Sequence, residues 1–390
     1  MTDHRPIPLF PVSVVGSWPR PRWLLDAMRK RSADLPALRD RATLLAIEQQ
    51  EAAGVDVLSD GEQRRDNFYS FLAEKLDGVT LMTMADLLDH VEDKAAFEGL
   101  LQTLDVPAFA IKNPTLTGKL RRRSPLAVDD ARFLRTHSSR PTKVALPGPY
   151  LLSRSMWVKA LSAAAYPTRE QLCDDLVAIL RQELLELRDL GVEIVQFDEP
   201  VLTELVFAGK AATRTFMCAA LAAAADPAAE LRLAVELVNR VVDGITGVRT
   251  AVHVCRGNWS RNEDVLLAGD YAPLLPHLAR MQVQQFVLEY ATPRAGSATL
   301  LTQLPAAAEV GFGAVNPRTE PDEQPAAVAD RVRALAAQLG AHRIWLNPDC
   351  GFGTFADRPV ATAEVAMAKC RILADAAARL RRDAATTATR

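Results

Sequence analysis

Eight short apolar runs, each followed by a helical pattern, constrain the fold of this chain more than any other feature. The runs lie at 12–17, 55–62, 143–149, 193–200, 249–255, 285–290, 310–316 and 343–350. Each is nearly continuously apolar, as parallel strands are when helices cover both faces of their sheet. The stretches between them, such as 169–191, place apolar residues at the three- and four-residue spacing of amphipathic helices. The alternation predicts an α/β protein, a (β/α)8 TIM barrel.

One interval does not fit a single βα unit. Residues 77–142 are too many for one helix and its loops, and they contain the stretch FAIKNPTLTGKLRRRSP. We predict an inserted excursion, or hairpin, between barrel strands 2 and 3. With 390 residues and 49% hydrophobic content, residues 1–380 are expected to form one barrel domain. Residues 381–390 are expected to form a disordered tail.

Composition excludes several classes of protein. Basic and acidic residues nearly balance at a net charge of -2, which argues against a nucleic-acid partner. No apolar run approaches the ~18 residues that span a bilayer, and the first residues lack a signal-peptide pattern. Five cysteines in a chain of this length do not form a disulfide framework. We therefore expect a cytoplasmic protein with reduced thiols and no membrane partner, and self-association into a homo-oligomer is left open.

The polar residues of the apolar runs are concentrated where the runs end. Chemistry in such barrels takes place at the C-terminal ends of the strands. A shared site is therefore predicted at this end of the barrel. The residues concerned are Ser17, Glu62, Asp198, Glu199, His253, Cys255, Glu289, Asp349 and Cys350.

Four of these side chains suggest a metal site. His253 and Cys255 face the same side of a strand because they are two residues apart. Glu289 ends the following run and Cys350 ends the last one, so other strands supply further ligands. Nitrogen, thiolate and carboxylate ligands suit Zn²⁺, and thiolates disfavour Mg²⁺ or Ca²⁺. The alternative is that both cysteines are small buried apolar side chains and that His253 is a core histidine bonded to the backbone.

Seven stretches occur in an order that is specific to one family. They are VVGSWPRP, DGEQRRDNF, LPGPYLL, VQFDEPVL, HVCRGN, LEY and LNPDCGFGT. With them the chain resembles the catalytic C-terminal half of cobalamin-independent methionine synthase over essentially its full length. The resemblance implies a zinc ion held by His253, Cys255, Glu289 and Cys350.

The resemblance also implies the activity and the substrate contacts. A small-molecule thiol, homocysteine, would bind zinc as thiolate and attack a methyl donor to give methionine, as a methyltetrahydropteroyltriglutamate–homocysteine methyltransferase does. The backbone of Gly16 and Ser17 would take the substrate carboxylate. Glu62 and Asp198 would take its ammonium group, since two carboxylates facing each other in a dry pocket repel unless a cation lies between them.

Two departures from the family leave the methyl donor open. The chain has no length for the second, N-terminal barrel that helps full-length members to hold a polyglutamylated folate. The family's seventh strand ends in a motif with a histidine thought to assist methyl transfer, whereas here Asn316 and Arg318 occupy that region. Arg318 and the arginines of LRRRSP are candidate anion contacts. The alternatives are an alkyltransferase of the epoxyalkane–coenzyme M transferase type and a non-catalytic thiol- or zinc-binding barrel.

Overall fold

The computed structural model of the protein describes residues 4–91, 94–95, 97–98, 112–207, 226–257, 260 and 266–388. The strands are β1 (Leu76–Thr83), β2 (Lys112–Arg122), β3 (Lys143–Pro147), β4 (Ile194–Asp198), β5 (Arg249–Val254), β6 (Gln285–Glu289), β7 (Glu309–Val315) and β8 (Ile344–Pro348). Strands β3 to β8 form one parallel sheet in chain order. Six of the eight predicted strands are therefore present as regular strands.

The first two predicted runs close this sheet into a ring without forming regular strands themselves. The backbone hydrogen bonds of this closure include those from Ser13 N–H to Leu346 C=O (3.0 Å), from Val57 N–H to Val12 C=O (3.1 Å) and from Lys143 N–H to Leu58 C=O (2.7 Å). Each run pairs as isolated parallel bridges only. The second run turns away after Leu58, because Ser59 Oγ and Asp60 Oδ1 accept from Gly61 N and Glu62 N and end the extended conformation. The predicted α/β class is confirmed, and this closure is consistent with the predicted barrel.

Helices follow the strands and cover the outside of the ring. They are α1 (Arg22–Lys30), α2 (Leu35–Ala52), α3 (Leu72–Lys75), α4 (Met84–Leu87), α5 (Val128–His137), α6 (Pro149–Met156), α7 (Lys159–Ser162), α8 (Arg169–Asp189), α9 (Val201–Phe207), α10 (Pro227–Val242), α11 (Leu275–Leu278), α12 (Pro325–Leu339) and α13 (Ala363–Ala388). Short 3₁₀ turns lie at Leu88–His90, Pro293–Ala295, Ala298–Gln303 and Ala341–Arg343. Among the described residues, no helix is both long and apolar enough to cross a membrane.

The interior of the ring is divided along the strand direction. Val57, Ile194, Ala251 and Trp345 form a separate buried apolar cluster. Ile194 is the first residue of β4 and Asp198 is its last, so about 13 Å separates the two ends of that strand at ~3.3 Å per residue. The predicted site residues lie at the Asp198 end. Apolar packing therefore fills one end of the barrel, and ionisable side chains fill the other.

The long interval between the second run and β3 contains an antiparallel pair. Strands β1 and β2 pair from Leu76↔Arg122 to Thr83↔Lys112, with an irregularity at Gly78. Gly78 has φ +79°, and a Cβ there would lie 2.3 Å from the Lys119 carbonyl oxygen, so only glycine fits. The FAIKNPTLTGKLRRRSP stretch thus supplies one strand of the pair, and its residues before 112 lie outside the described residues.

The expected disordered tail at 381–390 is corrected by the structure. Helix α13 continues to Ala388, and only 389–390 lie outside the described residues. Arg381 anchors this part of the helix, since its Nε donates to the Leu9 carbonyl oxygen (2.7 Å) and its Nη2 pairs with Asp56 Oδ2 (2.5 Å). Helix α13 therefore continues through most of the expected tail because Arg381 fixes it to the barrel.

Candidate metal and substrate site

Three potential metal ligands meet where β5 and β8 end. His253 is the penultimate residue of β5, Cys255 follows that strand, and Cys350 follows β8. Cys350 Sγ lies 3.5 Å from His253 Nε2 and 3.6 Å from Cys255 Sγ. The three ligand atoms all lie within 4.8 Å of one another. Within the described part of the chain, this is the one group of three such residues close enough to share a metal ion.

A backbone contact orients the His253 ring. Its Nδ1 lies 3.0 Å from the Val287 carbonyl oxygen on β6. Because a carbonyl only accepts, Nδ1 carries a proton, which leaves Nε2, the nitrogen beside Cys350, as the atom that can bind a metal. Burial opposes a charged ring, but Cys255, Asp198 and Glu289 outweigh that effect and raise the pKa of His253. The surroundings of this imidazole therefore favour positive charge.

The two cysteines are chemically suited to a cation. Both are free thiols, Cys255 buried and Cys350 nearly so. The neighbouring Cys255 and burial raise the pKa of Cys350 well above its usual range, because two thiolates in contact repel. A divalent cation between them reverses that preference, since metal coordination removes the thiol proton. One nitrogen and two sulfurs in this geometry fit Zn²⁺.

Glu289, the fourth predicted ligand, lies beside this cluster but is not part of it. Its Oε1 accepts a hydrogen bond from Arg256 N–H (3.0 Å). Its Oε2 is buried and has no hydrogen-bond partner among the described residues. Burial, Cys255 and Asp349 raise the pKa of this carboxyl, with Arg318 and Arg256 opposing. Glu289 thus retains one buried oxygen for a further ligand, and its coordination of the metal stays a prediction.

Asp349 braces the loops around Glu289. Its Oδ1 accepts from Tyr290 N–H (2.9 Å) and Ala291 N–H (2.8 Å), so the loop after β8 is tied to the loop after β6. Gly313 makes this crossing possible, because a Cβ there would lie 2.3 Å from Asp349 Oδ1. The second glycine of the GFGAV stretch, Gly313, is therefore explained by the close approach of Asp349.

The predicted ammonium contacts, Glu62 and Asp198, lie together at the same end of the barrel. Glu62 is buried and Asp198 is partly buried, and the charge of Asp198 contributes to the pKa of Glu62. Burial raises the pKa of Glu62 to about 7, although Arg65 opposes this with Nη1 3.9 Å from Glu62 Oε1. Burial also raises the pKa of Asp198. Glu62 Oε2 is buried without a hydrogen-bond partner among the described residues. This is expected of a carboxylate whose hydrogen-bond donor is a substrate group.

Glu62 also has an unusual backbone. Its φ is +54°, in the left-handed region that residues other than glycine rarely occupy. Such conformations cost roughly 1–3 kcal/mol and persist where the surrounding structure determines them, often at functional sites. The preceding Asp60–Gly61 turn and the contact with Arg65 provide that surrounding structure. The strain marks Glu62 as a residue whose side-chain direction matters.

The predicted carboxylate contacts lie against Glu62. A Cβ on Gly16 would lie 2.8 Å from Glu62 Oε1, so a larger residue at that position would displace the Glu62 carboxylate. Ser17 is buried, and its carbonyl oxygen accepts from Phe352 N–H (2.9 Å). Gly351 packs on Ser17, since a Cβ there would lie 2.7 Å from Ser17 Oγ. The first run and the loop after β8 therefore form one wall of the site.

Two interior residues were missed by sequence reasoning. Gln196, in the middle of β4, donates from Nε2 to Asp198 Oδ1 (2.7 Å) and to the Val15 carbonyl oxygen (3.0 Å). Lys143 donates from Nζ to Gln196 Oε1 (3.1 Å). Burial lowers the pKa of Lys143 to about 7, with Asp198 opposing. The available signal was that Gln196 and Asp198 are two residues apart and face the same side of a strand.

The loop after β7 carries Asn316 and Arg318 near the three potential metal ligands. Asn316 N–H donates to Glu323 Oε1 (2.9 Å), and Arg318 N–H donates to Asn316 Oδ1 (3.1 Å). The fully buried Lys369 fixes the loop by pairing with Glu323 Oε2 (2.5 Å). The charge of Arg318 opposes the rise in the pKa of Glu289. Arg318 is therefore electrostatically coupled to the site.

Other residues considered from the sequence have structural roles. The arginines of LRRRSP form ion pairs within the chain, Arg121 and Arg123 with Asp77 and Arg122 with Glu183 and Glu186. Glu199 accepts from Tyr150 and Leu151 N–H (2.8 Å each) and thereby caps α6. Because the arginines of LRRRSP already pair with carboxylates of the chain, they are weaker candidates for binding an anionic ligand.

Comparison with known proteins identifies the family. A model of the cobalamin-independent synthase catalytic domain matches residues 10–377. The chain belongs to this family. The resemblance inferred from the seven stretches is thereby confirmed.

Relatives of the cobalamin-independent synthase family match over most of the chain. The methionine synthase of Sulfolobus acidocaldarius is 26% identical over 359 residues, which cover 90% of this chain and 87% of that protein. The methionine synthase of Thermococcus kodakarensis is 28% identical, with coverages of 88% and 87%. Membership of the family and these relatives make the chain a methyltransferase of the methionine synthase type.

Solved structures agree with the barrel. The B12-independent methionine synthase of Shewanella sp. W3-18-1, in complex with selenomethionine, superposes with a TM-score of 0.73 at 25% identity, covering 97% of this chain and 100% of that one. A putative vitamin-B12-independent methionine synthase from Listeria monocytogenes has a TM-score of 0.65 at 19% identity over 97% and 99% of the chains. The second likeness supports the fold alone.

Proposed function

We propose that this cobalamin-independent synthase is a zinc-dependent enzyme that methylates homocysteine to methionine. One observation carries the proposal. Three atoms of metal-ligand type lie within 4.8 Å of one another at the barrel end where the buried Glu62 and the partly buried Asp198 also interact electrostatically. A thiol group and an amino group of one small molecule would find complementary partners there.

The zinc ion would be held by His253, Cys255 and Cys350. Glu289 would either be its fourth ligand or be displaced when the substrate sulfur binds. Zinc would lower the pKa of the homocysteine thiol, so that its sulfur is nucleophilic at neutral pH. The Glu289 oxygen without a partner supports this assignment, because a buried carboxylate oxygen costs free energy unless a cation or donor satisfies it.

The amino-acid end of homocysteine would be held by protein groups alone. Glu62 and Asp198 would accept hydrogen bonds from the ammonium group, and the backbone at Gly16 and Ser17 would take the carboxylate. The barrel encloses the carboxylates, so their attraction for an ammonium ion is stronger than in water. Holding this end orients the thiol towards the methyl donor, and such orientation accounts for a large part of many rate enhancements.

The methyl donor approaches from the loop that carries Asn316 and Arg318. Arg318 stays protonated at neutral pH, so we assign it to binding an anionic part of the donor and not to delivering a proton. A donor whose leaving group needs no proton fits this loop better than one that must be protonated.

A donor screen tests the proposal. Zinc-loaded protein and homocysteine would be offered methyltetrahydrofolate with one or several glutamates, methylcobalamin and small methylated metabolites, and methionine would be measured by mass spectrometry. We expect methionine from at least one donor, and no S-methylated coenzyme M when coenzyme M replaces homocysteine. Alkylation of coenzyme M with no methionine from any donor would favour the epoxyalkane-type reaction instead.

A further inference from the structure

The Gln196 amide has a single allowed orientation. Its Nε2 lies 2.7 Å from Asp198 Oδ1 and 3.0 Å from the Val15 carbonyl oxygen, and both of these atoms only accept. Its Oε1 lies 3.1 Å from Lys143 Nζ, which donates to it. Reversing the amide would place its oxygen against two acceptor oxygens, at Asp198 and at Val15. Gln196 is completely buried, so water cannot compensate for such a reversal.

Lys143 is an unusual partner for an amide. It is the first residue of β3 and is only 1% exposed. Within the described residues it forms no ion pair, and its hydrogen bond is to Gln196. A buried lysine is costly, and a smaller apolar residue would fill a strand position more cheaply. The role that its position suggests is to hold and polarise the Gln196 amide, because a donor on Oε1 strengthens Nε2–H as a donor.

Gln196 connects the two halves of the substrate pocket. Val15 directly precedes Gly16 and Ser17, the segment assigned to the substrate carboxylate, and Asp198 is assigned to the ammonium group. In an α-amino acid both groups are attached to one carbon, so their separation is fixed. A pocket that recognises both must hold its own two halves at a matching separation.

We infer that Gln196, held by Lys143, is a positioning residue that fixes Asp198 relative to the Val15–Ser17 segment and makes the pocket selective for α-amino-acid thiols. The inference rests on the proposed function, in which Asp198 binds the ammonium group. Lys143 acts only through Gln196 and contacts no substrate.

Calorimetric titration of zinc-loaded protein with two thiols tests this inference without a methyl donor. The thiols are L-homocysteine and 4-mercaptobutanoate, which is homocysteine without its amino group. Gln196→Met should weaken homocysteine binding about tenfold, the size expected for one lost hydrogen bond to a charged group, and should change 4-mercaptobutanoate binding by less than about twofold. Gln285→Met is the matched control, since Gln285 is also buried in the barrel at the start of β6, and we expect it to leave both affinities unchanged.

Lys143→Met tests the indirect part of the inference. It should weaken homocysteine binding by a smaller factor, about threefold, and the double variant should equal Gln196→Met alone, because a residue that acts through another adds nothing once the other is removed. Equal weakening of both thiols by Gln196→Met, or full additivity of the two substitutions, would overturn the inference. If Gln196→Met does not fold, Gln196→Asn keeps an amide that is too short to reach Asp198 and should give the same selectivity loss.

Asp198→Asn separates this inference from the proposed function. If Asp198→Asn leaves homocysteine affinity unchanged, the ammonium contact of Asp198 is wrong and the positioning role falls with it, whereas the donor screen still decides the proposed function. If Asp198→Asn weakens homocysteine binding but Gln196→Met does not, the ammonium contact stands and only the positioning role is refuted.

Discussion

The two ends of the barrel interior differ in how their residues affect the stability of the fold. At one end Val57, Ile194, Ala251 and Trp345 pack into a closed apolar cluster, with partly buried Ile7 against it. At the other end the interior holds ionisable groups that burial destabilises, among them Glu62 in a strained conformation. The first end lowers the free energy of the fold, whereas the second raises it. Proteins keep such destabilising ionisable side chains where a functional site requires them.

The largest effect on the site is expected from Cys350→Ser. The variant should lose zinc and at least about 100-fold in turnover, since even residues that only support a metal ligand contribute 10–100-fold. Metal content by mass spectrometry is the readout. Cys370→Ser is the matched control, because Cys370 is fully buried in α13 and is not among the clustered ligands. Full zinc content in Cys350→Ser would contradict the ligand assignment.

A smaller effect, about tenfold on ligand affinity, is expected from Glu62→Gln. Because the pKa of Glu62 is raised to about 7, this carboxyl is mostly neutral at pH 6 and mostly ionised at pH 8. Affinity for L-methionine, which has an ammonium group but no thiol, should therefore increase from pH 6 to pH 8.

The Glu62→Gln variant should lose this increase, and Glu74→Gln should keep it, since Glu74 is exposed. Calorimetric titration at both pH values measures the difference. An unchanged pH profile in Glu62→Gln would show that another group titrates.

The smallest effect on the site is expected at the apolar end. Trp345→Leu should lower the free energy of unfolding by roughly 2–4 kcal/mol through the cavity it leaves. Zinc content and homocysteine affinity should change by less than about twofold. Denaturant unfolding and calorimetric titration give the two numbers. A large loss of homocysteine affinity with little loss of stability would contradict the division between the two ends.

The sequence predicts best the features that depend on local periodicity. His253 and Cys255 could be placed on one face because a strand repeats every two residues, and Cys350 could be placed nearby because parallel strands end at one edge. The contact between Arg256 N–H and Glu289 Oε1 could not be predicted. It depends on how two loops meet.

The features of the site that the sequence did not predict depend on the long-range closure of the barrel. Gln196 and Lys143 lie within apolar runs, and their partnership with Val15 exists only because the first run closes the barrel. The φ of Glu62 depends likewise on the turn and on Arg65. The helical end of the chain was mispredicted because the anchor of Arg381 on Asp56 spans most of the sequence.

X-ray absorption at the zinc edge, before and after addition of homocysteine, tests the central claim most directly. We predict two sulfur ligands in the zinc-loaded protein, from Cys255 and Cys350, and a third sulfur when homocysteine is added. A coordination sphere without sulfur, or one that homocysteine leaves unchanged, would contradict a site built to activate a thiol.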